Sequence, residues 1–103
     1  MSWQDVEVDD FGWTGKLTLQ QDGTAVDIST YVTKQFILRD PAKVATVKTA
    51  SFDSDGSDGI LKYVIQDGDI DAVGNWSVQA RIIKAGVELT SSDITFHVKA
   101  RLD

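Results

Sequence analysis

Apolar and polar residues alternate along most of the chain with a period of two. In "TGKLTLQQDG", Leu17 and Leu19 stand between polar neighbours, and the run ends at Asp22-Gly23, a dipeptide suited to a tight hairpin. "TAVDIST" repeats the alternation with Val26 and Ile28. "KQFILRDP" sets Phe36 and Leu38 on one face and Ile37 on the other, and Pro41 closes it because proline has no N–H for a ladder. "KVATVKTASF" is rich in β-branched residues and reads as a further strand. "GILKYVI" aligns Leu61, Tyr63 and Ile65, and "NWSVQARII" aligns Trp76, Val78, Ala80 and Ile82. "DITFHVKARL" aligns Ile94, Phe96 and Val98. No stretch has a convincing helical period. About seven short strands separated by turn signals predict an all-β sandwich or small barrel. Its expected core is Leu17, Leu19, Phe36, Leu38, Leu61, Tyr63, Trp76, Val78, Phe96 and Val98.

"DIDAVGNWSVQARI" (69–82) narrows that choice. An acidic turn leads through Gly74 to Trp76 and then to an alternating strand. Immunoglobulin-like sandwiches have a related corner, in which an aromatic with a polar tip bonds back to the upstream backbone. Trp76 would take the aromatic place and Val78 the core place; the equal alternative is simply a buried Trp at the head of a strand. An indole N–H only donates, so it requires a carbonyl upstream, and Gly74 permits a positive φ in the turn. The expectation is an immunoglobulin-like antiparallel sandwich over residues 14–103. Residues 1–13 form an N-terminal arm or first strand.

Length and charge restrict the function classes. At 103 residues the chain makes one small domain with one core. A net charge of -6 repels nucleic acid and favours solubility. There is no cysteine, hence no disulfide and no Cys-ligated zinc. "MSWQDVEVDD" has neither a basic start nor an apolar run, so no cleaved signal is expected. No apolar stretch approaches the ~20 residues that span a bilayer.

Candidate chemistry is sparse. His97, the single histidine, alternates with Phe96 and Val98 and reads as a surface strand residue beside Thr95 and Lys99. No serine sits in a Gly-x-Ser-x-Gly turn and no glycine-rich phosphate loop is present. A non-enzymatic protein without a cofactor is expected. "FDSDGSDGILKY" (52–63) invites a calcium loop through Asp53, Asp55 and Asp58. Counted as an EF-hand from Asp53, the glycine position holds Asp58 and the twelfth position holds Val64. Counted so that Gly59 falls sixth, the first and third positions are Ser54 and Gly56. Neither register works, and the stretch reads as an acidic hairpin turn. An irregular β-loop site using these three aspartates is the alternative. Asp67, Asp69 and Asp71 flank the same strand at its other end, about 20 Å away, too far to join it.

Three segments together carry a family resemblance: "ILRDP" (37–41), "SDGSDGILKYVIQDGDIDAVGNWSVQARI" (54–82) and "DITFHVKA" (93–100). They resemble the N-terminal domain of phage baseplate upper proteins and related immunoglobulin-like modules of tailed-phage virions. Tyr63, Asp71, Gly74, Trp76 and Gln79 match positions of that pattern. After Pro41 the chain departs from it, with Ala42-Lys43 where such modules often have a glycine-containing turn. The resemblance implies a structural virion protein of a tailed bacteriophage, in the tail, baseplate or head-tail region. It would be made in the host cytoplasm and assemble with copies of itself and with other virion proteins, without nucleic acid or membrane.

The first thirteen residues interleave Trp3, Phe11 and Trp13 with Asp5, Glu7, Asp9 and Asp10. Trp3 and Trp13 either cover an open sandwich edge or bury against a neighbouring subunit. Aromatics are favoured at interface cores, so Trp3, Phe11 and Trp13 are the expected assembly interface. The rival expectation is a host-surface or glycan-binding module that stacks Trp3 or Trp13 on sugar faces.

Overall fold

The computed structural model describes Trp3, residues 6–91 and residues 93–101. The described strands are β1 (Val6–Glu7), β2 (Thr14–Thr18), β3 (Gln20–Gln21), β4 (Thr24–Ala25), β5 (Thr33–Arg39), β6 (Ala45–Thr49), β7 (Ser51–Phe52), β8 (Ile60–Val64), β9 (Gly74–Lys84), β10 (Val87–Thr90) and β11 (Ile94–Lys99). Seven of these are four residues or longer, and the rest are two-residue pieces. Among the described residues there is no helix.

Two sheets face each other across one core. The larger runs β1-β11-β9-β5-β6, with β10 also paired to β9, and the smaller runs β2-β8-β7. β9 is the spine, and its alternation decides the layer. Trp76, Val78, Ala80 and Ile82 are all buried, while β5 pairs along one side and β11 then β10 along the other. Phe36 and Leu38 of β5 and Phe96 and Val98 of β11 share that inner face. Leu17, Leu19, Leu61 and Ile65 meet them from the smaller sheet. Every expected core residue is buried except Tyr63, which is half-buried against the cluster.

Several connections follow from local chemistry. Asp22-Gly23 joins β3 to β4 with φ of 53° and 79°, the two positive values a type I′ turn requires. After Pro41 the β5–β6 hairpin closes with Lys43 at φ 71°, where glycine would be unstrained. Asp40 holds it by accepting the Val44 amide at 2.8 Å. At the buried Ala50 the chain leaves β5 for β8, so β6 and β7 are one extended run shared between the two sheets.

Three elements differ from the sequence expectation. "TAVDIST" keeps its inward side chains, but only Thr24–Ala25 is strand. The later amides are taken locally: Ile28 donates to Gly56, Ser29 to the Asp27 carboxylate and Tyr31 to Ile28. β10 has little signal in the sequence, since "VELT" is short and carries a glutamate. It follows a turn at Ala85-Gly86 and pairs with the end of β9. Between β10 and β11 the register on β9 slips by one residue, from Thr90↔Arg81 to Ile94↔Val78. This is a bulge, secured by Ser91, whose amide donates to Ala80 O and whose hydroxyl accepts the Ala80 amide, both at 2.9 Å. Ile94 shares the face of Val78 yet is 38% exposed, because it lies at the seam beside Leu17 and Thr18 rather than under a strand.

Candidate assembly surface

The acidic turn after β8 builds a corner. The Trp76 indole donates to Ala72 O at 2.9 Å, the upstream carbonyl its donor-only chemistry demands. Gly74 has φ 134°, and a Cβ there would stand 2.8 Å from Pro41 Cγ, so the glycine also admits the proline of the facing hairpin. Asp69 lies beside this corner with its side chain only 5% exposed. It accepts the Tyr63 hydroxyl at 2.6 Å and the Gln66 amide at 2.8 Å, and pairs with Lys48 Nζ at 2.9 Å. Burial pushes the Asp69 carboxyl upward, but these donors outweigh it and hold its pKa below the usual carboxylate value. Burial, then the hydrogen bond to Asp69 and its charge, push the Tyr63 phenol well above its ordinary value. Tyr63, Trp76 and the turn between them thus act as one rigid unit tied to β6 through Lys48. Gln79 donates to Ser91 O at 2.9 Å and helps fix the bulge.

The N-terminal aromatics take two different roles. Trp3 and Trp13 are buried in the protomer's own core, at 8% and 7% exposure. Their rings meet edge to face at a centroid distance of 5.1 Å, and Trp3 also lies 5.1 Å from Phe96 and 6.2 Å from Phe36. Trp3 fits there because Gly15 of β2 has no side chain: a Cβ would lie within 2.7–2.8 Å of two indole carbons, with Cζ2 closer still. The Trp3 N–H donates to Lys16 O at 3.1 Å. Val6 and Glu7 pair in parallel with Val98 and Lys99, so this segment supplies a first strand at the edge of the larger sheet. Neither indole offers a free ring face to a sugar or to a neighbouring protein. Of the three aromatics, Phe11 alone is open, at 60% exposure.

The aspartates of residues 53–58 are engaged in holding their own turn. Asp55 accepts both the amide and the hydroxyl of Ser57, at 2.9 and 2.6 Å. Asp58 accepts the Ile60 amide at 3.1 Å and the Ser54 hydroxyl at 3.0 Å. Asp53 pairs with Lys16 at 3.0 Å. The Ser57 hydroxyl and amide hold the Asp55 carboxyl below its usual pKa. Among the described residues no three His, Cys, Asp or Glu side chains are gathered as a metal cluster. His97 is exposed and lies 3.0 Å from Asn75 through Nδ1. No described helix is long and apolar enough to cross a membrane.

What remains open is strand edge and apolar surface. β6 is one edge of the larger sheet and is exposed along nearly its whole length. Beside it a hollow is lined by Thr46, Lys48, Asp69, Asp71 and Trp76, among others. Val44 and Val47, in and beside β6, are 59% and 48% exposed. β2 is one edge of the smaller sheet, with its Lys16 carbonyl taken by the Trp3 indole. Lys48 and Lys16 sit on these edges, a common guard against uncontrolled pairing. On the outer face of the larger sheet, Gln35 Oε1 accepts both Nε and a terminal nitrogen of Arg81, at 2.9 and 2.7 Å. That link was not legible in the sequence.

A two-sheet β-sandwich with a Trp–Tyr corner and open edges is thereby defined. The family profile of the BppU N-terminal domain matches residues 14–103, and the chain belongs to that family of baseplate upper protein domains. It is a phage baseplate-related structural protein, which makes it a virion component whose family points to a non-enzymatic role. No curated protein matches it.

Proposed function

We propose that this chain is an assembly module of a tailed-phage baseplate, acting by protein–protein contact with neighbouring virion proteins and with copies of itself. The family match over residues 14–103 carries this reading. The geometry supports it: the strongest polar groups brace a corner, while the free surface consists of strand edges, exposed valines and Phe11. We place the sandwich among immunoglobulin-like modules, on the support of the Trp76–Ala72 corner and the run from β6 to β7 shared between the sheets. Synthesis in the host cytoplasm, without nucleic-acid or membrane contact, belongs to the same proposal. The glycan-binding reading lacks the open tryptophans it requires.

An amber mutation in the reading frame, grown in a non-suppressing host, tests the proposal. The expected outcome is normal heads with tails that lack distal structure. Intact infectious particles formed without the chain would refute it.

A further inference from the structure

The family profile begins at residue 14, yet residues before it fill part of the core and pair with β11. Trp3 sits in the slot over Gly15, and Val6 is fully buried. The link back to β2 starts with a tight turn, in which the Asp10 amide donates to Glu7 O at 3.1 Å. Asp9, third in that turn, has φ 67°, a position that favours glycine. Two residues further on, the open ring of Phe11 projects at the hinge.

We propose that the arm ending at Glu7 exchanges between two copies of this chain, each placing its Trp3 over the other's Gly15 and its Val6 beside the other's Val98. Exchange of an identical element reproduces every contact outside the hinge. The Trp3 slot, the Val6↔Val98 and Glu7↔Lys99 pairs and the bond from the Val8 amide to Lys99 O are the same within one chain or between two. The balance is therefore set at the turn. Opening it gives up the Asp10–Glu7 backbone bond and the bond from the Glu7 amide to Asp10 Oδ2, both replaceable by water, and it must keep or re-form the bond from the Asp9 amide to Ile70 O and the Asp10–Arg101 pair, both at 2.7 Å. It also releases Asp9 from its positive φ. The two hinges run side by side in an exchanged pair, so two copies of Phe11 meet and lose exposure. Linking of the copies then requires high local concentration, which the proposed assembly with copies of itself would supply. The inference concerns contacts between copies only. If it fails, assembly with other virion proteins stands unaffected.

The chain has no cysteine, so two single variants give a direct test. Full-length Glu7→Cys is mixed with full-length Lys99→Cys, incubated at high concentration and oxidised. Exchange predicts a mixed disulfide dimer on a non-reducing gel, well above the level from either variant alone, because positions 7 and 99 are register partners. Adding Asp9→Gly to both chains relieves the closed turn at each hinge and is expected to lower the mixed dimer about tenfold. Asp9→Pro, which cannot adopt a positive φ, is expected to raise it. A mixed dimer no more abundant than the single-variant background overturns the proposal. So does a yield that Asp9→Gly leaves unchanged.

Discussion

Alanine at Gly15 isolates the contact between the N-terminal arm and the sandwich. In an ordinary strand, glycine is the weaker residue by roughly 0.5–1 kcal/mol, so alanine should stabilise. Here the new methyl would stand 2.7 and 2.8 Å from Trp3 Cη2 and Cε2, and the indole must leave its slot. A tryptophan buries about 150–250 Å², worth roughly 4–6 kcal/mol at about 25 cal/mol per Å². The bond to Lys16 O adds about 1 kcal/mol. Releasing two or three arm residues returns about 1–2 kcal/mol of entropy each. The net expectation is a loss of about 2–3 kcal/mol, opposite in sign to the usual effect. Urea unfolding followed by tryptophan fluorescence measures it, and a double-mutant cycle with Trp3→Ala assigns it. With the indole already removed, Gly15→Ala should cost nothing or stabilise slightly. Equal destabilisation by Gly15→Ala with and without Trp3 would refute the docking of the arm.

Further outcomes follow from the corner and the acidic turn. Asp69 has a depressed pKa in the folded chain, so its contribution is present above the unfolded value of about 3.9 and lost as pH falls through the folded value. Tyr63 is shifted up, so its contribution is present below about pH 10 and lost as pH rises above that. Stability should therefore be level between these limits, and Asp69→Asn should flatten the acid limb of a melting-temperature profile. Trp76→Phe replaces the buried indole with a smaller ring and removes the N–H that donates to Ala72 O; the lost bond is expected to cost about 1 kcal/mol in chemical denaturation, with the cavity adding to it. Asp53, Asp55 and Asp58 already bind partners within the chain, so EDTA is expected to leave the melting temperature unchanged. A fall on chelation would show a cation bound to the native state.

Legibility in the sequence tracked distance along the chain. The Trp76 corner could be read because its glycine, its indole and the accepting carbonyl at Ala72 lie within five residues, and the donor-only chemistry of indole leaves few solutions. The Asp22-Gly23 turn was equally plain. Trp3 looked like an interface aromatic because its slot is made by an absence, the missing side chain of Gly15 twelve positions on. An isolated glycine in an alternating strand does not announce what lies over it. Val26 and Ile28 show the converse, since their alternation places side chains correctly while their amides bond to Leu19 and Gly56 instead of a ladder. The Asp69–Lys48 pair and the Gln35–Arg81 link depend on strand neighbours that only the folded topology defines.

Immunogold electron microscopy of gradient-purified tailed particles, with an antibody raised against the full chain, tests the assembly role most directly. Label confined to the distal end of the tail, in a regular number per particle, is the predicted result. Particles that carry no label, while the chain stays soluble in the lysate, would contradict it.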